Sequence, residues 1–311
     1  MKIAPTLPEI HSLFVNNNSE EAWNKAVDII RRISPAYEFP FARILFNDIV
    51  RLFRGEYPGY CSIGTLYHDL PHTLDVFLCA ARLMHGVHVS GTRLTDKEIT
   101  LIMMAALMHD IGYAQLRGEE DGTGAQYTQD HVNRSVEFMR RYLIEQHFPP
   151  DLATPLELLI QSTNHVLSFS RIDFPDERAR LLGQIISSAD LVGQMADRTY
   201  LEKLLFLYLE FNEAHMDNFQ SKYALLCNTC RFYENTRKVL DSELGGIHTR
   251  LTFHFNDLFG VERNYYLESM DKNIAYLSKV VSLGETEYLS MLKRGGIVEK
   301  TENFISPENP A

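Results

Sequence analysis

The sequence lacks an apolar run long enough to span a membrane. A membrane helix needs about 18 or more apolar residues in succession, and the richest stretch, residues 201–211, is interrupted by Glu202, Lys203 and Glu210. The first residues also lack the continuous apolar segment of a secretory signal peptide. We therefore expect a cytoplasmic protein without a membrane partner.

Cysteines are few, and basic residues are outnumbered by acidic ones. Four cysteines in 311 residues do not form the framework of a disulfide-rich secreted protein, which agrees with a reducing compartment. Cys227 and Cys230 form a CxxC motif, but no second ligand pair at zinc-finger spacing accompanies it, so we interpret both as ordinary residues on one helix face. The net charge of −11 argues against nucleic acid as the main partner, because proteins that bind it usually carry a basic patch.

The sequence is rich in helical patterns. Apolar residues recur at helical spacing from Trp23 onward, and Thr95 and Glu98 form a capping box before an apolar run. No convincing strand hairpin is present. We predict one all-α domain over residues 1–311, with helices over about 19–34, 41–54, 66–86, 95–109, 128–147, from 154 onward, 175–194, 198–215, 221–242, 263–282 and 285–293.

Two segments fall outside this helical pattern. Residues 117–127 are glycine-rich and acidic, and we predict either a mobile rim over a site or an ordinary solvated connection. Residues 301–311 contain two prolines and are interpreted as a tail.

The pair His109 and Asp110 is the most informative feature. It ends a helix that is otherwise almost wholly apolar, and no lysine or arginine lies between Lys97 and Arg117 to balance a buried carboxylate. Because an unpaired buried charge is costly, a metal ion is the natural counter-charge. Asp190 has a similar setting as the lone acid in an apolar helical segment.

Four further histidines accompany this pair. His68 and His72 have the i, i+4 spacing of one helix face, His131 begins a predicted helix, and His165 ends one. The imidazoles and the two carboxylates exceed what one zinc or magnesium ion usually takes from a protein, so two bridged ions would use them better.

These residues resemble the motifs of a known protein family. Residues 67–76, which include His68, Asp69, His72 and Asp75, resemble the HNxxHxxDV signature of class I cyclic nucleotide phosphodiesterases. The ordered series of His72, His109-Asp110, His131, His165 and Asp190 resembles the H…HD…H…H…D pattern of the HD superfamily of metal-dependent phosphohydrolases. The resemblance covers residues 60 to 200 approximately, and implies an HD-domain helical bundle there, with a helical C-terminal extension over about 201–300.

The resemblance also implies roles for the residues that carry it. His72, His109, Asp110 and Asp190 would bind a first ion, Asp110 would bridge to a second, and His131 and His165 would complete the second. His68 matches the phosphodiesterase histidine that protonates the leaving oxygen, so His68 and Asp110 are the candidate catalytic residues. One or two divalent ions are implied, and the ligand types suit zinc, iron, manganese or magnesium.

The expected function is hydrolysis of a phosphodiester or phosphomonoester, with a nucleotide or cyclic nucleotide as a candidate substrate and a second copy of the chain as a candidate partner. Two departures leave the substrate open. Asp69 stands where phosphodiesterases have asparagine, and Tyr113 stands where they have a second histidine and the HD-GYP group has lysine.

Gln194 and Arg198 lie one and two helical turns beyond Asp190, so they are candidates to bind a substrate phosphate, although Arg198 could instead pair with Glu202. The histidines without a partner pattern are interpreted as structural or solvated; they are residues 11, 85, 88, 147, 215, 248 and 254. Two other functions share the pattern. One is a di-iron oxygenase, and the other is a non-catalytic module that senses a ligand.

Overall fold

The computed structural model describes residues 6, 10, 13, 18–119, 121–165, 168–216 and 219–303. Within these residues the chain is all-helical and contains no strand, which confirms the predicted all-α class. The described helices are α1 (Ser19–Ile33), α2 (Ala42–Phe53), α3 (Leu70–Val89), α4 (Asp96–Met108), α5 (His131–Glu145), α6 (Ala153–Gln161), α7 (Glu177–Ala196), α8 (Tyr200–Glu213), α9 (Lys222–Asp241), α10 (Leu251–Phe259), α11 (Tyr265–Ser282) and α12 (Ile297–Asn303).

Helix α3 is the centre of the bundle. Every residue from His72 to Val87 is buried, and α1, α4, α7 and α10 pack against this helix. A helix that is buried on all sides must be apolar nearly all round, so its few polar side chains stand out. Gly86 allows the backbone before α10 to approach α3 closely, because a Cβ there would lie 2.0 Å from the carbonyl oxygen of Arg250.

Side chains cap the helices that position the site. Asp69 accepts a hydrogen bond from the backbone nitrogen of His72 and begins α3. Thr95 and Glu98 form the predicted capping box of α4, and Asp176 caps α7 through the backbone nitrogen of Ala179. Such caps satisfy amides that the first helical turn leaves free.

Several predicted boundaries are wrong. The helix predicted over 66–86 begins only at Leu70, so His68 precedes the helix and does not share a helix face with His72. The helix predicted over 128–147 begins only at His131, and the hydroxyl of Thr128 donates instead to the carbonyl of Ala125 in the turn before it.

The C-terminal third differs from the prediction as well. Residues 285–293 contain only the short 3-10 turn Tyr288–Met291, because Gly284 before it and Gly295 after it have positive φ. Helices α10 and α12 were not predicted. His11 and the part of the predicted tail beyond residue 303 lie outside the described residues. No helix in the described ranges is long and apolar enough to cross a membrane.

Candidate metal centre

Five helices bring the predicted ligands together. His72 lies in the first turn of α3, His109 directly follows α4, and Asp190 lies within α7. His131 is the first residue of α5, and His165 follows the end of α6. Residues that are far apart in the chain therefore meet, because α4 and α7 pack against α3, α6 packs against α4 and α7, and α5 packs against α6.

His72, His109, Asp110 and Asp190 form what we call the central cluster. The Nε2 atoms of His72 and His109 are 3.3 Å apart, and Oδ2 of Asp110 lies 3.2 Å from the first and 3.0 Å from the second. Oδ1 of Asp190 lies 3.5 Å from Nε2 of His72 and 3.7 Å from Nε2 of His109. An ion with bonds of about 2.1 Å separates neighbouring ligands by about 3.0 to 3.4 Å, so the spacing suits a divalent ion.

Hydrogen bonding determines which nitrogen of His109 faces the cluster. Nδ1 lies 3.0 Å from the carbonyl oxygen of Ala106, which can only accept, so Nδ1 carries the proton. A neutral His109 therefore points the lone pair of Nε2 toward Asp110. Oδ2 of Asp110 is itself buried and has no hydrogen-bond partner within the described ranges. Nε2 of His109 and Oδ2 of Asp110 therefore need either a shared proton or a metal ion between them, and the residues present fit a divalent ion.

The charges of the cluster are strongly coupled. Burial lowers the pKa of His109, but the carboxylate of Asp110 outweighs this effect and raises that pKa to about 9. Burial raises the pKa of Asp110, but the neighbouring imidazoles, His109 above all, hold it well below its usual range. A divalent ion would displace the shared proton, because metals bind neutral imidazole and ionised carboxylate.

His131 and His165 extend the central cluster. Nε2 of His131 lies 3.5 Å from Oδ1 of Asp110, and Nε2 of His165 lies 2.7 Å from Oδ2 of Asp190. Each aspartate thus directs one oxygen toward His72 and the other toward a further histidine. The side chains of His131 and His165 are 20% and 30% exposed, whereas the central cluster is buried, so solvent reaches the site from their side.

His68 lies beside the cluster in the turn before α3. Its Nδ1 lies 2.6 Å from Oε2 of Glu210, whose other oxygen accepts a 2.6 Å hydrogen bond from the backbone nitrogen of Tyr67. Burial lowers the pKa of His68, but Glu210 outweighs this effect and the pKa is raised to about 9. The ion pair with Glu210 thus favours the protonated form of His68.

The turn after His109 is clamped to α5. The hydroxyl of Ser135 donates to the carbonyl of His109 at 2.7 Å and accepts from the backbone nitrogen of Gly112 at 2.9 Å. Arg134 donates to the carbonyl of Gly112 at 2.7 Å. A Cβ on Gly112 would lie 1.9 Å from the carbonyl oxygen of His131, so this close approach requires glycine.

The two predicted substrate-binding residues differ in position. Gln194 lies beside the cluster, where its Nε2 is 3.3 Å from Oδ1 of Asp190 and its Oε1 accepts from the hydroxyl of Tyr67 at 2.8 Å. Arg198 is exposed and lies beyond the end of α7 at Ala196. The helical spacing that linked Arg198 to Asp190 therefore does not continue that far.

The described part of the glycine-rich segment is held in place by helix α8. Glu213 accepts hydrogen bonds from the backbone nitrogen and the hydroxyl of Thr123, both at 2.7 Å, and from the backbone nitrogen of Ala125 at 3.0 Å. The carbonyl of Thr123 accepts from the backbone nitrogen of Gly64 at 3.1 Å. These bonds favour an ordered connection over a mobile rim.

Sequence reasoning missed Glu210 and Ser135. Glu210 had a usable signal, because it is an acid within an apolar helix, which is the argument that singled out Asp190. Ser135 had no such signal, since the sequence does not indicate which groups a serine within a helix will hydrogen-bond. Two of the histidines interpreted as structural fit that interpretation, because His85 and His254 are buried with their Nδ1 atoms 3.1 Å apart. The four cysteines, all within the described ranges, form no disulfide.

Comparison with known proteins identifies one similarity. Residues 115–241 match the model of a protein family described as Npun_R2479-like. The matched segment includes His131, His165, Asp190 and Glu210, but it does not reach His72 or His109. No curated protein matches the chain.

Proposed function

We propose that the protein is a metal-dependent phosphohydrolase that acts on a phosphodiester or phosphomonoester. The observation that carries this proposal is the central cluster, in which two imidazoles and two carboxylates converge in a buried site. Among the described residues, Asp110 and Asp190 form ion pairs with histidines alone, so no lysine or arginine balances them. The HD-superfamily resemblance of the same residues supports the proposal.

The ligands divide between two ion positions. His72, His109, Oδ2 of Asp110 and Oδ1 of Asp190 would hold the first ion, and His131 with Oδ1 of Asp110 would contribute to the second. Divalent ions bound there would supply hydroxide at neutral pH and neutralise the phosphoryl oxygens. Asp110 is suited to bridge, because its two oxygens face different histidines.

His68 would donate the proton that the leaving oxygen requires. Glu210 occupies Nδ1, so Nε2 is the nitrogen that can face a substrate, and the raised pKa keeps the ring protonated at neutral pH. A positioned acid of this kind typically contributes about 10²- to 10⁴-fold to the rate. Glu210 acts through His68, which makes it a positioning residue. A proton donor held beside the cluster favours hydrolysis of an ester over oxygen activation.

The proposal is tested with two generic esters, bis(4-nitrophenyl) phosphate and 4-nitrophenyl phosphate. Protein freed of metal by a chelator and then supplied with Zn²⁺, Mn²⁺, Mg²⁺ or Fe²⁺ should hydrolyse at least one of them, and the activity should disappear in Asp110→Asn. Asp173→Asn is the matched control, because it removes the same charge from an exposed position. Fully loaded protein that hydrolyses neither these esters nor a broad nucleotide panel, or that consumes oxygen with iron bound, would contradict the proposal.

A further inference from the structure

Tyr113 lies under two of the proposed functional histidines. Its ring stacks on that of His68 with 4.8 Å between centroids and 19° between planes, and on that of His131 with 4.7 Å and 12°. The two imidazole centroids are 6.1 Å apart. Rings on opposite faces of a tyrosine would be at least about 7 Å apart, since each stacked layer adds about 3.5 Å. Both imidazoles therefore lie side by side on one face.

The ring of Tyr113 is held rigidly enough to serve as a surface. It is fully buried, and it follows the turn that Ser135 clamps to α5. His68 and His131 are each also held by one ring nitrogen, the first by Glu210 and the second by the carbonyl of Thr128 at 2.7 Å. A hydrogen bond at one ring edge leaves the ring free to tilt, and contact with a flat aromatic face removes that freedom.

We propose that Tyr113 is a positioning residue whose ring face keeps His131 directed at the second ion and His68 beside it. The inference rests on the proposed function, in which His131 binds an ion and His68 donates a proton. It also accounts for the departure at this position from the histidine or lysine of the related enzymes. Here the residue contributes a surface under the site, not a ligand or a charge.

The test is Mn²⁺ binding, measured by calorimetry on the full chain after chelator treatment. Tyr113→Phe keeps the ring face and should bind Mn²⁺ as the wild type does. Tyr113→Leu should weaken by about tenfold or more the binding of the ion that His131→Ala also weakens, as is typical when support of a ligand is lost. Tyr142→Leu removes another fully buried tyrosine, outside the site, and controls for lost stability.

Wild-type affinity in Tyr113→Leu would overturn the inference, as would equal weakening in Tyr113→Phe or an absence of any effect of His131→Ala. If Tyr113→Leu does not fold, proton NMR of the wild type decides. Stacking on the face of Tyr113 should shift ring protons of His68 and His131 upfield, and unshifted signals for both rings would overturn the inference. Wild-type protein that shows the expected Mn²⁺ pattern but hydrolyses no phosphate ester would contradict the proposed function and leave the role of Tyr113 intact.

Discussion

Replacing Asp110 with asparagine should abolish the stabilisation that a divalent ion confers. Oδ2 of Asp110 lies 3.0 Å from Nε2 of His109, and Oδ1 lies 3.5 Å from Nε2 of His131, so one substitution removes a charged ligand from each of the two ion positions. An ion present at 100 times its dissociation constant stabilises a folded protein by about 2.7 kcal/mol. At about 2 °C per kcal/mol for a chain of this size, the wild-type Tm should rise by about 5 °C.

The assay is thermal unfolding followed by circular dichroism, first with chelator and then across a titration of Mn²⁺ or Zn²⁺. We expect the wild type and the Asp173→Asn control to show the full rise in Tm. Asp110→Asn should stay within about 1 °C of its own value in chelator, because the remaining ligands bind too weakly to stabilise the fold. An equal rise in Asp110→Asn, or no rise in the wild type with either metal, would refute the reasoning.

Three further predictions concern individual residues. Glu210→Gln should lower kcat at least about tenfold while Mn²⁺ affinity is unchanged, because it discharges the partner of the proposed acid; an unaltered kcat would contradict that role. Burial lowers the pKa of His248 to about 4, whereas the unfolded residue titrates near about 6.5. Its contribution to the free energy of unfolding is therefore complete above pH of about 6.5 and is lost as the pH falls toward 4, by up to about 3 kcal/mol. Urea unfolding of His248→Gln should show a shallower acid loss, and an identical slope would count against it. Gly112→Ala should reduce the free energy of unfolding by more than about 2 kcal/mol, because its Cβ would lie 1.9 Å from the carbonyl oxygen of His131. Gly193→Ala is the control and should be neutral or stabilising, because the nearest atom to its Cβ lies at an ordinary 3.4 Å. Equal effects of the two substitutions would contradict the packing argument.

The helical class was predictable because burial leaves a periodic pattern. Helix α1 shows this best, since its buried residues Trp23, Val27 and Ile30 recur at helical spacing. Helix α4 was marked instead by its capping box and its continuous apolar run from Ile99 to Met108. Boundaries were harder where local signals compete. The stretch before Leu70 looks helical, but the backbone turns there so that Glu210 can hold the amide of Tyr67, which is a tertiary contact.

The candidate site was predictable to the extent that its residues are chemically conspicuous. A carboxylate in an apolar helix, such as Asp190, implies a partner whatever the fold. Side chains that act by position leave no such mark. Tyr113 was noticed in the sequence only as a departure from the resembled pattern, and its place under two imidazoles depends on the packing of its turn against α5. For Arg198 the helical spacing to Asp190 was wrong, because α7 ends at Ala196, and its contact with a substrate phosphate stays a prediction.

The most direct test of the central claim is a crystal structure of Mn²⁺-loaded protein with anomalous scattering measured from the ion. The account predicts a strong anomalous peak bounded by Nε2 of His72, Nε2 of His109, Oδ2 of Asp110 and Oδ1 of Asp190. A structure in which Mn²⁺ binds elsewhere, while these four side chains form hydrogen bonds with one another, would contradict the account.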